Sequence, residues 1–111
     1  MKCAICKDEP TELAHVKSHS EFRHKDLKND REENLIPLCH HCHYDFDCRK
    51  IGLFMESNGF TTFIRLTDSN EIEIINSNYR LNIKKEYVQW KNQQCVGKVR
   101  FNMTQYKFRS K

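Results

Sequence analysis

Long hydrophobic runs are missing from this 111-residue sequence, and glycine (3) and proline (2) are scarce. No stretch approaches the roughly 20 apolar residues that a membrane span needs, so we expect no membrane association. The N-terminal stretch MKCAICKDEP lacks the apolar core of a signal peptide, which gives a cytoplasmic location as an expectation. No internal repeat or low-complexity linker interrupts the chain, so its length and composition predict one compact domain.

Acidic residues are almost missing from the last third of the chain. Residues 79–111 contain nine lysines and arginines against one acidic residue, Glu86, a net charge of +8. Residues 1–78 contain 10 basic and 14 acidic residues, a net of −4, so the whole chain carries +4. A basic segment of this kind predicts a polyanionic partner such as a nucleic acid, although a merely solvated surface is the alternative. The candidate phosphate contacts are Lys84, Lys85, Lys91, Lys98, Arg100, Lys107 and Arg109.

The first half of the sequence predicts two short strands and a helix. TELAHV is an extended segment, and NLIPL contains a proline that restricts it to an edge strand. The spacing of Phe46, Ile51, Phe54 and Met55 predicts a helix from about Cys42 to Met55.

The second half predicts a β-hairpin, a helix and a C-terminal strand. FTTFIRL and EIEII are β-rich segments separated by the turn sequence TDSN. The helical period in NIKKEYVQWKNQQ and the alternation in VRFNM predict the helix and the strand. Residues 1–55 and residues 56–111 are thus predicted as two parts of one α+β domain, the second part carrying the basic DNA-binding face.

Four of the six cysteines lie in two knuckles, Cys3-x2-Cys6 and Cys39-x2-Cys42. In a reducing compartment, cysteines paired in this way usually hold a metal rather than form disulfides. Two knuckles supply the four thiolates of a tetrahedral zinc site. Because four protein ligands leave no open coordination position, the predicted zinc ion, one per chain, is structural.

A second candidate site follows the last knuckle. His43 and Asp47 are four residues apart, so on a helix they share one face. One imidazole and one carboxylate suit a divalent ion such as Mg²⁺ or Mn²⁺ whose shell is completed by water and phosphate oxygens. By spacing alone, an ordinary His–Asp pair on a helix surface explains this pattern equally well.

The arrangement of Ala14-His15-Val16, Asn34-Leu35 and the second knuckle with His43 resembles the HNH nuclease motif over residues 3 to about 50. The resemblance implies a ββα-metal finger that hydrolyses DNA phosphodiester bonds. It does not extend to residues 56–111.

By this resemblance, three residues are catalytic. His15 matches the general base, Asn34 matches the asparagine that orients the base, and His43 matches a ligand of the catalytic divalent ion. Asp47 falls where many members carry a second ligand. The residue before the base is often a further ligand but here is Ala14, which leaves two side chains to hold the ion. The chemistry agrees, because phosphodiester hydrolysis needs a group that deprotonates water near neutral pH and a cation beside the phosphate.

The remaining histidines and cysteines are weaker candidates. His19 is the alternative base, but the apolar context of His15 favours His15. His40 and His41, between the knuckle cysteines, are expected to face solvent. Cys48 and Cys95 have no partner at knuckle spacing and are expected to be small buried residues.

Two other functions compete with a nuclease. A zinc-stabilised DNA-binding module without catalysis would keep the cysteines and the basic segment but would not need His15, Asn34 and His43 together. A protein-interaction zinc finger makes poor use of the basic segment. A nuclease of this size with one active centre would need two copies to cut both strands at once, so concerted cleavage of both strands would require a homodimer.

Overall fold

A computed structural model describes residues 2–17 and 32–109, without the side chains at positions 32, 78 and 106–109. The fold is α+β. Its strands are β1 (Thr11–His15), β2 (Leu35–Cys39), β3 (Ile51–Met55), β4 (Phe60–Leu66) and β5 (Ile72–Arg80). Its helices are α1 (His40–Asp47), α2 (Lys85–Gln94) and α3 (Gly97–Arg109).

The two predicted strands of the first half pair with each other. β1 and β2 are antiparallel, with Thr11 opposite Cys39 and His15 opposite Leu35. Pro37 lies opposite Leu13 in this two-stranded sheet, where its missing N–H costs no central hydrogen bond. α1 follows β2 directly and completes a ββα unit with its buried face on the hairpin.

The predicted helix from Cys42 to Met55 is wrong in its second half. α1 ends at Asp47, and Arg49 adopts φ = 66° beyond it. The N–H of Lys50 donates to the carbonyl of Asp45 at 3.1 Å, and that of Arg49 donates to Phe46 at 3.2 Å, which is the Schellman pattern that closes a helix. The chain then enters β3, so the apolar residues from Ile51 to Met55 belong to a sheet.

The predicted hairpin is confirmed and gains a third strand. β4 and β5 pair antiparallel, and β3 adds to the other edge of β4, giving the order β3-β4-β5. β3 lies in the first predicted part of the chain and β4 in the second, so this sheet joins the two.

The predicted C-terminal strand is wrong, because VRFNM lies in helix α3. Val99 and Met103 are buried, whereas Phe101 is 63% exposed. Residues four apart share one face of a helix, so Val99 and Met103 pack together on the buried face. Their alternation with Phe101 in the sequence was coincidental. The helix predicted around Tyr87 is confirmed as α2.

The core lies between the ββα unit and the three-stranded sheet. Phe46 from α1, Ile36 and Leu38 from β2, and Leu53 and Phe63 from the sheet are fully buried in one cluster. Complete burial of a side chain such as Phe46 contributes about 1.5–3 kcal/mol. This cluster fixes α1 against both sheets and so sets the position of the candidate site. Among the described residues, none of the helices is long and apolar enough to cross a membrane.

Candidate active site and metal centre

The two predicted knuckles meet. The Sγ atoms of Cys3, Cys6, Cys39 and Cys42 all lie within 4.8 Å of one another, and those of Cys6 and Cys39 are 3.4 Å apart. Four sulfurs about 2.3 Å from a tetrahedral zinc ion are separated by about 3.8 Å, so the cluster has the size that such an ion needs. In each knuckle a backbone N–H faces the first sulfur, at 3.5 Å from Ile5 to Cys3 and from Cys42 to Cys39.

The thiols of this cluster compete for ionisation. Burial opposes ionisation of Cys3, but the backbone N–H groups of Cys39, Cys6 and Ile5 lower its pKa to about 7. Burial and the neighbouring thiols raise the pKa of Cys6 to about 11, and they also raise the pKa of Cys42. A cation among the sulfurs removes this conflict by favouring every thiolate. The cluster therefore fits a metal ion, in agreement with the prediction from spacing.

α1 brings His43 and Asp47 together as the spacing predicts. The Nε2 atom of His43 lies 3.3 Å from Oδ2 of Asp47, and the His43 side chain is 24% exposed. Two neighbouring ligands of an octahedral Mg²⁺ ion, each about 2.1 Å away, are separated by about 3 Å, so this pair has the separation of two ligands on one ion. The Asp47 side chain is 63% exposed.

A third residue, Glu12 of β1, was missed by sequence reasoning. Its Oε1 atom lies 2.7 Å from Nδ1 of His43 and 3.5 Å from Nδ1 of His40. The hydrogen bond with His43 lowers the pKa of the Glu12 carboxyl. A sequence signal existed: Glu12 is two residues before Ala14, so on a strand it lies on the same face as the position where related motifs carry a ligand.

His15 is the last residue of β1 and is half-buried. Because side chains alternate along a strand, it lies on the opposite face of β1 from Glu12 and Ala14. Ala14 is fully buried. His15 therefore does not share a face of β1 with Glu12. The alternative base His19, like His24, lies outside the described residues.

Asn34 holds the backbone that follows His15. Its side chain is fully buried, its Oδ1 accepts from the N–H of Lys17 at 2.7 Å, and its Nδ2 donates to the carbonyl of Lys17 at 3.1 Å. Its own carbonyl accepts from the N–H of Val16 at 2.9 Å. Asn34 thus fixes Lys17 with its side-chain amide and Val16 with its backbone carbonyl, directly after the candidate base.

The buried acid of α1 is tied to the three-stranded sheet. The guanidinium of Arg65 on β4 forms an ion pair with Asp45, whose side chain is 7% exposed. The same guanidinium lies 2.9 Å from Nε2 of His41. Although burial opposes the charge of Arg65, its hydrogen bond to Asp45 raises the pKa of the guanidinium. His41 thus contacts this ion pair, and His40, with a side chain 91% exposed, faces solvent as predicted.

Lys91 was predicted to contact phosphate, and that prediction is wrong because its side chain is buried. Lys91 is 5% exposed, and its ammonium group donates to the carbonyl of Phe46 and lies 4.0 Å from the centre of the Phe46 ring. Burial lowers the pKa of this ammonium group. Lys91 is thus a second donor to the carbonyl of Phe46, which also accepts from the N–H of Arg49. Its cation stabilises the C-terminus of α1 and is too buried for a DNA contact.

The other basic candidates are divided between two helices. Lys84 and Lys85 are exposed at the start of α2, where the N–H of Lys84 donates to the carbonyl of Glu33 at 2.9 Å. This contact places them beside Asn34. Lys98 and Arg100 are exposed on α3, and Lys98 donates to the carbonyl of Asn70. The side chains of Lys107 and Arg109 lie outside the described part of the chain.

The two unpaired cysteines differ in burial. Cys95 is 3% exposed, and its Sγ donates to the carbonyl of Ile51 at 3.2 Å, as expected of a small buried residue. Cys48 is exposed directly after the last residue of α1, so the expectation of burial is wrong for this residue. It lies at the solvent-facing cap of the helix, where no core surrounds it.

The family model of HNH endonucleases matches residues 3–53. Residues 3–53 are thus similar to the HNH endonuclease family. The matched residues include both knuckles, His15, Asn34, His43 and Asp47, so the resemblance found in the sequence is confirmed. HNH nucleases depend on metal ions, which agrees with a segment that carries two groups of metal-ligating side chains.

Among solved structures, the chain is similar to one described as "Modification dependent TagI restriction endonuclease". The TM-score is 0.61 and the sequence identity 17%, over 86% of this chain and 34% of that chain. The shared fold therefore extends beyond the HNH segment, and this chain spans about a third of the length of that structure. Among curated proteins, no sequence matches this chain.

Proposed function

We propose that the protein is a metal-dependent HNH endonuclease that hydrolyses phosphodiester bonds of double-stranded DNA. The observation that carries the proposal is the facing pair on α1, His43 Nε2 and Asp47 Oδ2 at 3.3 Å, in a segment whose Asn34 also fixes the backbone after His15. A module that only binds DNA needs none of these three features. A zinc ion held by the four knuckle cysteines would fix β1, β2 and α1 in this arrangement.

His43 and Asp47 would hold one Mg²⁺ or Mn²⁺ ion. When bound, such an ion stabilises the negative charge that develops on the phosphate and on the leaving oxygen. Two protein ligands leave positions for water and phosphate, which is how Mg²⁺ commonly binds beside a phosphorylated substrate. The 3.3 Å separation of the two atoms and the partial exposure of both side chains, 24% for His43 and 63% for Asp47, support this assignment.

His15 would act as the general base. Its imidazole accepts a proton from a water molecule whose oxygen attacks phosphorus, the P–O3′ bond breaks, and the 3′ oxygen leaves with a proton from solvent. An imidazole suits this task because its ordinary pKa is close to neutral pH. Asn34 would serve as a positioning residue, since its two hydrogen bonds to Lys17 fix the backbone on which His15 is carried.

DNA would be held by the exposed lysines nearest to this site. Lys84 and Lys85 lie at the start of α2 beside Glu33 and Asn34, within the part of the chain that carries the net charge of +8. The nearby ammonium group of Lys17 lies 6.0 Å from the centre of the Tyr87 ring of the same helix. A cluster of cations beside the catalytic loop would position phosphates there and give an affinity that falls with salt.

Plasmid cleavage tests the proposal. The purified protein is incubated with supercoiled plasmid, unmodified or methylated, in Mg²⁺, Mn²⁺ or EDTA. We expect nicked or linear product with either metal ion and none in EDTA. His43→Ala should be inactive at low metal concentration and partly rescued by excess Mn²⁺. Binding of DNA without cleavage under every condition would contradict the proposal and favour a non-catalytic zinc-stabilised DNA-binding module.

A further inference from the structure

Glu12 has a contact that the proposed reaction does not yet use. Its Oε1 atom lies 2.7 Å from Nδ1 of His43, across the gap between β1 and α1. The position of Glu12 is fixed by the pairing of β1 with β2, which sets it opposite Leu38. The neighbouring strand residue on the same face, Ala14, is fully buried and offers no polar atom from its side chain.

The two ring nitrogens of His43 therefore face different groups. Nδ1 faces Glu12 at 2.7 Å and Nε2 faces Asp47 at 3.3 Å. A neutral imidazole carries its proton on one nitrogen, and the hydrogen bond made by that nitrogen decides which one remains free to bind a metal. A carboxylate accepts hydrogen bonds and does not donate them, so each carboxylate favours a proton on the nitrogen that it faces. The contact of Glu12 with Nδ1 is the shorter, at 2.7 Å against 3.3 Å, so it favours the tautomer with the proton on Nδ1.

We infer that Glu12 is a positioning residue that fixes the tautomer and the orientation of His43, so that Nε2 is presented to a divalent cation together with Asp47. The inference rests on the proposed function. A carboxylate that accepts from a metal-binding imidazole also makes the imidazole a stronger ligand, and loss of such a partner typically costs about 10–100-fold in metal affinity or activity. In this site, with two predicted ligands, that contribution compensates in part for Ala14.

The geometry separates this role from direct ligation. The lone pairs of Nδ1 and Nε2 point away from each other across the ring, so an oxygen within hydrogen-bond distance of Nδ1 is on the wrong side to share an ion with Nε2. His40 also approaches Glu12, at 3.5 Å, but its side chain is 91% exposed. Glu12 is closer to His43, at 2.7 Å, and the His43 side chain is only 24% exposed, so Glu12 fixes the ring of His43 and not that of His40.

Nuclear magnetic resonance of the His43 ring nitrogens tests the inference without any metal ion. At pH 8, where an ordinary imidazole is neutral, we expect wild type to carry the proton on Nδ1. Glu12→Ala should populate the Nε2–H tautomer, whereas Glu12→Gln should keep the Nδ1–H tautomer because its carbonyl oxygen still accepts. Glu71→Ala, which removes an exposed carboxylate before β5, is the control and should match wild type.

Binding of Mn²⁺, measured by electron paramagnetic resonance with duplex DNA present, gives the second measurement. We expect Glu12→Ala to bind about 10–100-fold more weakly than wild type, and Glu12→Gln to lie between them. An unchanged tautomer in Glu12→Ala would overturn the inference, even if Mn²⁺ binding were lost, because Glu12 would then affect the ion by some route other than the tautomer of His43. If His43→Ala bound Mn²⁺ and cut DNA like wild type, the proposed ion site itself would fail. If His43→Ala lost Mn²⁺ binding while Glu12→Ala kept both the wild-type tautomer and wild-type Mn²⁺ binding, only the role of Glu12 would be overturned.

Discussion

At the scale of single residues, one buried amide connects the parts of the candidate site. Asn34 is fully buried at the junction between a short turn (Glu32–Asn34) and β2, and it makes both side-chain hydrogen bonds to Lys17. Without it, the N–H and the carbonyl of Lys17 would lose their partner in a partly buried position. The asparagine therefore contributes to the stability of the hairpin and to the placement of His15 through the same two bonds.

Asn34→Ala should lower both stability and cleavage. We expect the free energy of unfolding to fall by about 1–3 kcal/mol, because two backbone groups lose their hydrogen bonds. Cleavage should slow less than in His15→Ala, since the base remains but is held less firmly. Urea denaturation and initial cleavage rates measure the two effects.

Asn92→Ala is the matched control for this change. The Asn92 side chain makes the same pair of bonds to one residue of β3, accepting from the N–H of Leu53 at 3.0 Å and donating to its carbonyl at 2.9 Å. It lies away from His15 and should reduce stability alone. Equal cleavage rates for folded Asn34→Ala and Asn92→Ala would show that Asn34 has no role in positioning the base.

At the scale of elements, α1 is held at three points. Its N-cap residue is Cys39, whose sulfur belongs to the four-cysteine cluster. Arg65 of β4 pairs with Asp45 in its middle, and Lys91 of α2 donates to the carbonyl of Phe46 at its end. His43 lies between the first and second anchors, and Asp47 directly follows the third, so we expect the separation of the two candidate ligands to depend on all three.

The knuckles should bind one zinc ion per chain, and loss of that ion should destabilise the ββα unit. Cys39→Ala removes a ligand and the sulfur at the start of α1, so we expect loss of zinc and a large fall in Tm, because the binding energy of a structural zinc ion is also folding energy. Elemental analysis and thermal unfolding measure both. Cys48→Ala, which removes the exposed cysteine at the other end of α1, should keep zinc and Tm. Folded wild-type protein without zinc would contradict this prediction.

The sequence predicted helices and strands correctly where the local pattern had only one interpretation. The knuckles, the hairpin and α2 were predicted because cysteine spacing, turn composition and a helical period each favour one structure. α3 was not predicted, because its sequence fits two structures. Val99, Phe101 and Met103 fit the alternation of a strand, whereas Val99 and Met103 alone fit one face of a helix. The position at which α1 ends is set by the left-handed conformation of Arg49. Arginine rarely adopts that conformation, so nothing in the sequence indicated it.

The candidate site was predictable along each element but not between elements. Spacing gave His43 with Asp47, and the family resemblance gave His15 and Asn34. Glu12 required knowledge that β1 packs on α1, and the burial of Lys91 required knowledge that α2 packs against the end of α1. Contacts between elements distant in sequence are not encoded in any local period, so a basic residue in a basic segment was taken as a surface cation.

At the scale of the whole molecule, the basic segment presents two separate surfaces. Lys84 and Lys85 lie beside the candidate site, whereas Lys98 and Arg100 lie on α3, which packs on β3 and β4. The exposed basic side chains that the structure describes in this segment are therefore divided between two helices, and the two surfaces need not contribute equally to the proposed DNA binding.

Charge reversal at the two surfaces tests this division. We expect Lys84→Glu/Lys85→Glu to weaken DNA binding more than Lys98→Glu/Arg100→Glu, because the first pair lies nearer the site where phosphate must bind. Each phosphate contact that is lost should reduce the slope of log affinity against log salt by about 0.9. Fluorescence anisotropy at several salt concentrations measures this slope. Equal effects would extend the interface to α3, and binding that is indifferent to both pairs would exclude the basic segment.

The most direct test of the account is the rate of DNA cleavage by His15→Ala relative to wild type, at saturating Mg²⁺ and with equal amounts of DNA bound. We predict a fall of about 10²–10⁴-fold, the usual contribution of a general base, with zinc content and DNA affinity unchanged and without rescue by excess Mn²⁺. Cleavage by His15→Ala at the wild-type rate would contradict the account, because the base would then be His19 or another group.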